Sequence, residues 1–136
     1  MRYFLAKTDP ETYSVDQLEK EKRTVWDGVN NPQAVRAIRE MQPGDKVFIY
    51  HSGGLSAVVG LAKVVAAGRD DPKNPKSAVA DFEYIGRIEP PVTLAEIKQS
   101  KLFDDWALVR QGRLSTMEAP EKFVEWMRKK SPKAKI

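Results

Sequence analysis

The sequence predicts an α+β fold, a small mixed β-sheet or partly closed barrel of five to six strands flanked by short helices. Apolar runs typical of strands alternate along the chain with short, capped helical segments, a pattern that favours this class. Two of these runs, residues 55–67 and 77–88, are separated by a charged turn with two prolines, as expected for an antiparallel hairpin. The 136 residues suffice for one domain with its own core.

Strands are predicted wherever apolar or alternating runs are bounded by turn residues. These runs are residues 2–7, 46–51, 55–67 and 77–88, followed by a short extended segment after residue 115. Gly60, inside the third run, suggests a bend or bulge in a long strand. Residues 69–76 are expected to form a surface turn, and Pro90-Pro91 is expected to end the sheet.

Helix starts are predicted by three local capping signals. They are the capping boxes Ser14 with Gln17 and Thr93 with Glu96, and the N-cap and first-turn pair Asn31 with Pro32. A further helix is predicted over residues 102–108, and another over residues 120–130. In the last helix Phe123, Trp126 and Met127 have helical spacing, and we interpret them as a packing stripe.

Residues 26–34 combine several residue types that regular helix or strand patterning does not require. Trp26 offers a flat ring with one N–H donor, suited to stacking on a planar partner, although an isolated tryptophan is more often a core anchor. Gly28 follows Asp27 in a turn and is expected to adopt positive φ or to let a ligand approach the backbone. We predict a loop that leads into the N-terminus of the helix at Pro32.

The sequence gives little support for catalysis, so we expect a protein that is not an enzyme. It contains one histidine and no cysteine, which argues against a His/Cys zinc site and a cysteine nucleophile. His51 and Ser52 are adjacent in a strand end and point to opposite sides, so they are poorly placed to share a proton. Neither common nucleotide-phosphate loop motif occurs. We expect no metal and no cofactor.

Positive charge is concentrated at the C-terminal end of the chain. The net charge is +4, yet the last fifteen residues contain six basic residues and one acidic residue, so the remainder sums to about −1. We predict one domain over residues 1–128 and a basic tail over residues 129–136 that begins on a helix and frays. No apolar run approaches the ~20 residues of a membrane span. We expect no membrane association and an intracellular, cytoplasmic location.

A series of ordered motifs covers nearly the whole chain up to about residue 115, and it resembles the EVE domain family. The motifs are Lys7-Thr8-Asp9-Pro10, Tyr13-Ser14-Val15-Asp16-Gln17-Leu18, Trp26-Asp27-Gly28-Val29-Asn30-Asn31-Pro32-Gln33-Ala34, Met41-Gln42-Pro43-Gly44-Asp45, Tyr50-His51-Ser52, Gly60, Pro91-Val92-Thr93-Leu94 and Gly112-Arg113-Leu114-Ser115. That family has PUA-like folds and is related to the YTH domains.

The resemblance implies a PUA-like pseudo-barrel without catalytic residues and with a pocket for a modified base, chiefly a C5-modified cytosine in DNA. It implies stacking on Trp26 and polar contacts from the segment that starts at Lys7. The residues expected to form the base-binding pocket are Lys7, Thr8, Asp9, Trp26, Gly28, Val29, Asn30, Tyr50, His51, Ser52, Arg113, Leu114 and Ser115. The basic tail is expected to contact phosphates through Arg128, Lys129, Lys130 and Lys133.

Departures from the family pattern affect charge at the pocket. Asn30 stands where an arginine is common, Pro32 where an aromatic is common, and Thr8-Asp9 where Ser-Glu is usual. We therefore expect the basic tail to replace a lost phosphate contact.

Two other functions remain open from the sequence, an RNA-binding module without modification specificity and a small-molecule-binding or catalytic protein using the same pocket. The expected partner is nucleic acid, with modified DNA favoured and RNA an alternative. An effector protein partner and a monomeric state are also expected.

Overall fold

The computed structural model describes all 136 residues and contains one open, six-stranded mixed sheet. The strands run in the spatial order β2-β5-β4-β3-β1-β6. β1 and β3 are parallel, and every other neighbouring pair is antiparallel. The strands are β1 (Tyr3–Thr8), β2 (Arg23–Trp26), β3 (Lys46–His51), β4 (Ala57–Asp71), β5 (Asn74–Thr93) and β6 (Thr116–Glu118). The predicted α+β class is confirmed.

Five short helices flank the sheet, and the predicted capping signals start three of them. Ser14 and Thr93 each form a complete capping box, and Asn31 accepts the backbone N–H groups of Gln33 and Ala34 through its side chain. The helices are α1 (Val15–Glu21), α2 (Pro32–Glu40), α3 (Leu94–Ser100), α4 (Ala107–Arg110) and α5 (Glu121–Lys130). The helix predicted over residues 102–108 is wrong in extent, because only the four residues of α4 are helical.

The long hairpin of β4 and β5 dominates the sheet, and it corrects two predictions. β4 continues to Asp71, so the surface turn is shorter than predicted. β5 passes through Pro90 and Pro91 and still pairs with β4 at its end, where Val92 lies opposite Val58. The pairing register shifts between Val58 and Gly60, which leaves the two prolines in a bulge where no ladder N–H is needed.

Trp26 lies in a strand and not in a loop, which corrects a third prediction. It is the last residue of β2 and pairs with Ala80 of β5. The partner strand is more than fifty residues away in the sequence, so local pattern did not reveal it. The predicted turn begins one residue later, and Gly28 has the expected positive φ, at +75°.

Aromatic rings connect α5 to the sheet and confirm the predicted packing stripe. Phe123 and Met127 are fully buried, and the Phe123 ring lies 5.4 Å from that of Phe48 on β3. Trp126 is partly buried against Phe103, with ring centroids 5.4 Å apart. Burial of this stripe holds α5 against the start of the parallel strand pair.

The chain beyond α5 lies against the body of the domain. Ser131 is buried, and Ala134 and Ile136 pack against the core. The Lys46 ammonium donates to the carbonyl of Lys135 at 2.7 Å. None of the five helices is long and apolar enough to cross a membrane.

Candidate functional site

The largest cavity opens where β1 ends, between the β1–α1 loop and the turn that follows β2. Its volume is about 550 Å³, within the range of roughly 300–1,000 Å³ that is typical of ligand sites. Most of its lining is polar. The lining residues are Lys7, Thr8, Asp9, Thr12, Tyr13, Glu21, Thr24, Val25, Trp26, Asp27, Gly28, Val29 and Ser115.

Trp26 belongs to the core and to the cavity at once. One face stacks on Phe82 with centroids 5.1 Å apart, and Tyr13 meets the ring edge-on at 6.0 Å. Only 7% of the residue is exposed, so it offers the cavity an edge and not a whole face. The indole N–H of Trp106 donates to a backbone carbonyl, whereas that of Trp26 has no protein acceptor and is reached by solvent.

The turn after β2 presents backbone donors that the protein leaves unpaired. The N–H groups of residues 27–30 have no acceptor among the hydrogen bonds of the chain. The turn is held in place by the hydroxyl of Ser77 on β5, which donates to the Val29 carbonyl. A fixed turn with unpaired donors beside a cavity can bind acceptor atoms of a ligand at little cost in ordering.

The opposite wall is the loop from Thr8 to Tyr13, which is closed by its own hydrogen bonds. The Thr8 hydroxyl donates to the Tyr13 carbonyl at 2.7 Å, and the Asp9 carbonyl accepts from the backbone N–H groups of Thr12 and Tyr13. One carboxylate oxygen of Asp9 accepts the Glu11 N–H, and the other has no protein donor. Asp9 therefore provides a free acceptor at the cavity.

Lys7 is the cation of the cavity, and its position is set by two neighbours. Its ammonium donates to the Gly112 carbonyl at 3.0 Å and lies 5.5 Å from the centre of the Tyr50 ring. Burial lowers the pKa of Lys7 below its usual value. One of the three ammonium donors is used by Gly112, so others are free for a ligand.

Tyr13 lines the cavity through a hydrogen-bonded side chain. Its hydroxyl donates to the Glu21 carboxylate at 2.7 Å. Burial, together with this carboxylate, raises the pKa of Tyr13 to about 12. Tyr13 therefore stays a neutral donor over the physiological pH range, with its own oxygen as an acceptor.

Seven of the thirteen predicted pocket residues line this cavity, and six do not. The seven are Lys7, Thr8, Asp9, Trp26, Gly28, Val29 and Ser115. Among the others, Leu114 is a core residue, Asn30 and Arg113 are exposed outside the cavity, and Ser52 contributes its backbone N–H to the Thr8 carbonyl at 3.0 Å. Tyr50 is buried and does not line the cavity, but its ring contacts the Lys7 ammonium.

His51 lies on the other side of the β1–α1 loop. Side chains alternate along β3, so Tyr50 and His51 point away from each other. His51 Nε2 accepts the backbone N–H of Val15 at 3.0 Å, and its ring lines a separate cavity of about 400 Å³. Burial lowers the pKa of His51, Asp16 opposes this shift and Arg87 reinforces it. His51 thus joins the start of α1 to the sheet.

Sequence reasoning missed five polar or charged lining residues. Thr12, Tyr13 and Glu21 come from the β1–α1 segment, and Thr24 and Asp27 come from β2 and its turn. Only Tyr13 and Asp27 had a signal, because both belong to family motifs. The others could be placed only once β2 was known to pair with β5 beside the end of β1.

The basic residues expected to contact phosphate lie away from this cavity. Arg128 donates to the Tyr3 hydroxyl at 3.1 Å, and Lys130 donates to Glu96 at 3.1 Å. Lys133 lines a groove beside Gly86. Lys129 is exposed on α5. Their contact with phosphate stays a prediction.

The open mixed sheet with flanking helices and a polar cavity beside the end of β1 defines an α+β protein of the PUA-like class. The family model of the EVE domain matches residues 2–130, so this chain belongs to the EVE domain family.

The chain is similar to proteins from distant organisms. Thymocyte nuclear protein 1 of Rattus norvegicus is 29% identical, with 71% of this chain and 55% of the rat protein aligned. The chain thus spans about half the length of this curated relative. A hypothetical protein from Leishmania major has a solved structure that is 32% identical, with a TM-score of 0.89 over 97% of this chain and 95% of that one.

Human THYN1, solved in complex with 5-methylcytosine-containing DNA, has the same fold. Its TM-score is 0.87 over 98% of this chain and 99% of that chain, at 22% identity.

Proposed function

We propose that this domain is a non-catalytic module that binds a modified base of DNA, a C5-modified cytosine, in the cavity at the end of β1. The observation that carries the proposal is the arrangement of unpaired polar groups around one cavity. Trp26 and the turn after β2, which carry unpaired N–H groups, line the cavity together with Lys7 and with Asp9, which keeps a free carboxylate oxygen.

These groups complement the hydrogen-bonding edge of cytosine. The exocyclic amino group is a donor that an aspartate accepts well, and the ring nitrogen and carbonyl oxygen are acceptors. Asp9 would accept from the amino group, while the Gly28 and Val29 N–H groups and Lys7 would donate to the acceptors. A base can reach such a pocket only when it leaves its stack or is presented in a single strand.

The small exposed area of Trp26 changes the role that the sequence predicted for it. Stacking on a free aromatic face is worth ~1–3 kcal/mol per base, but here one face of the ring is covered by Phe82. In this conformation Trp26 contributes its N–H and one edge.

The relatives support the choice of ligand. The human protein of this fold was solved with DNA containing 5-methylcytosine, and rat thymocyte nuclear protein 1 shares 29% identity with this chain. The DNA ligand of that structure is the reason we favour modified DNA over RNA and over a small metabolite.

The test is a titration of labelled oligonucleotides, followed by fluorescence anisotropy, with wild-type protein and the variant Trp26→Phe. The oligonucleotides carry either cytosine or 5-methylcytosine at one central position, in single-stranded and duplex form. Wild type should bind the modified strand more tightly. Loss of the indole hydrogen bond, worth about 0.5–1.5 kcal/mol, should weaken that binding about two- to tenfold.

Trp126→Phe is the matched control, because it makes the same chemical change at a partly buried tryptophan outside the cavity. It should bind like wild type. Equal affinity of wild type for modified and unmodified strands would contradict the proposal, and tighter binding of the corresponding RNA would favour the RNA-binding alternative.

A further inference from the structure

We propose that three arginines beside the cavity, Arg36, Arg110 and Arg113, bind the sugar–phosphate backbone of the DNA strand whose base occupies it. This inference rests on the proposed function and adds the direction in which the strand leaves the site. We name these residues the arginine rim.

The partners of the nine arginines distinguish the rim. Five arginines form ion pairs with carboxylates, and Arg128 donates to a hydroxyl and to a carbonyl. The five are Arg2, Arg23, Arg39, Arg69 and Arg87. The three rim arginines are exposed and make no ion pair or side-chain hydrogen bond within the chain. Arginines left without a partner keep their full capacity for bidentate contacts to phosphate.

The fold places the rim on one flank of the molecule. Arg36, on α2, lines a groove of about 270 Å³ together with Ala107 and Leu114. Arg110 ends the helix that begins at Ala107, and Arg113 directly precedes Leu114. The two carboxylates in that groove, Glu40 and Glu118, are both already paired with Arg2 and do not neutralise the rim.

A single short segment, residues 111–115, connects the rim to the cavity. The Gly112 carbonyl accepts a hydrogen bond from the Lys7 ammonium, and both Lys7 and Ser115 line the cavity. Arg113 lies between Gly112 and Ser115 in the chain. A strand that places one base against Lys7 would therefore have its neighbouring phosphates close to the rim.

The cavity itself carries carboxylates. Asp9, Glu21 and Asp27 all line it and none of them forms an ion pair. Phosphates are repelled by these carboxylates and attracted by the rim, so the charge distribution favours a backbone path over residues 110–113 and α2. The tail provides no equivalent path, because Arg128 is bonded near the start of β1, about 17 Å from its end at 3.3 Å per residue.

The test compares the salt dependence of DNA binding for wild type, the double variant R110Q/R113Q and the single variant R36Q. Each lost phosphate contact lowers the slope of log affinity against log salt by about 0.7 for single-stranded DNA. We expect R110Q/R113Q to lower the slope by about 1.4 and R36Q by about 0.7. Phosphate contacts carry no information on the base, so the ratio of affinities for 5-methylcytosine and cytosine should stay unchanged.

The double variant K98Q/K101Q is the charge-matched control, since it removes two exposed lysines without ion pairs outside the rim. It should keep the wild-type slope. An unchanged slope in R110Q/R113Q would overturn the proposal that the rim binds phosphates. A reduced slope in a tail variant, K129Q/K133Q, would then show that the tail makes the phosphate contacts. If the rim variants lower the slope while wild type shows no preference for 5-methylcytosine, the phosphate contacts of the rim are supported and the proposed base specificity fails.

Discussion

At the scale of single residues, Trp26 serves both stability and the cavity. One face packs on Phe82, the Tyr13 ring lies nearly perpendicular to it, and its indole N–H has no protein acceptor. A substitution that removes the whole ring therefore mixes two effects, loss of packing and loss of the N–H. Phenylalanine at this position keeps most of the packing and removes only the donor.

Trp26→Ala should lower the free energy of unfolding by about 3–5 kcal/mol, because it leaves a cavity against Phe82. Trp26→Phe should lower it by much less, since an aromatic ring still fills most of the site. Urea unfolding followed by circular dichroism measures both values. Similar stability of the Ala variant and wild type would show that Trp26 is not packed as described.

His51 predicts how stability depends on pH. Its Nε2 accepts the Val15 N–H, and burial lowers the pKa of the folded-state imidazole below its usual value of about 6.5. The unfolded chain therefore binds this proton at a higher pH than the folded chain does. The stability that His51 contributes is fully present above about pH 6.5 and is lost as the pH falls through the folded-state pKa.

The melting temperature should thus decrease between pH 7.5 and 5.5 in wild type and change less in His51→Gln, whose amide oxygen still accepts the Val15 N–H. His51 is the only histidine, so no other imidazole titrates in this window. Equal changes in the two proteins would show that the Val15 contact does not depend on the protonation of His51.

At the scale of elements, α2 fixes the position of the turn that follows β2. Its N-cap, Asn31, accepts two backbone N–H groups, and the cavity-lining Gly28 and Val29 precede it closely in the chain. Pro32 adds a first-turn residue whose φ is already helical. Loss of the cap would loosen the start of α2 and the turn with it.

Asn31→Ala should therefore lower the free energy of unfolding by about 1 kcal/mol. Asn30→Ala is the matched control, because the neighbouring asparagine is exposed and its side chain makes no hydrogen bond. That variant should stay within about 0.5 kcal/mol of wild type. Chemical denaturation measures both. The account of the cap would be wrong if the two variants had equal stability.

The elements that sequence predicted well are those whose signals are local. Capping at Ser14, Asn31 and Thr93 depends on side chains within three residues, so each helix start was predictable. β2 and the end of β5 depend on strands far away in the sequence. Local pattern therefore predicts a loop at Trp26 and an end of the sheet at Pro90-Pro91, although the bulge in the pairing accommodates both prolines.

At the scale of the whole molecule, α2 packs closely on the sheet where β4 passes beneath its end. The N–H of Gly68 donates to the Met41 carbonyl at 3.0 Å, and a Cβ at residue 68 would lie 1.8 Å from the Ile38 carbonyl oxygen. Only glycine allows this approach. The contact sets the position of α2, and therefore of Arg36, relative to the sheet.

Gly68→Ala should lower the free energy of unfolding by at least about 1–3 kcal/mol, because backbone and not a flexible side chain must shift. Gly86→Ala is the control, since a Cβ there meets nothing within 4 Å. Thermal unfolding of the two variants compares them. A stable Gly68→Ala protein would contradict the close packing of α2 on β4.

The cavity is assembled by the fold from separate parts of the chain, which limits what sequence could predict about it. The family motifs identified the end of β1, the Gly28 turn and Ser115. They also suggested His51, which strand alternation directs to a different cavity. Charge along the sequence points to the tail, whose basic residues lie away from the cavity, whereas the rim arginines are scattered in the sequence.

The central claim is that a base of DNA enters the cavity beside Trp26, and amide and indole NMR tests it most directly. The three tryptophans give three indole N–H signals, and only Trp26 lines the cavity. On addition of a single-stranded oligonucleotide with one 5-methylcytosine, the Trp26 indole and the amides of residues 27–30 should shift, while the indole of Trp126, which lines neither the cavity nor the groove of Arg36, should not. Shifts confined to residues 128–136 would contradict the claim.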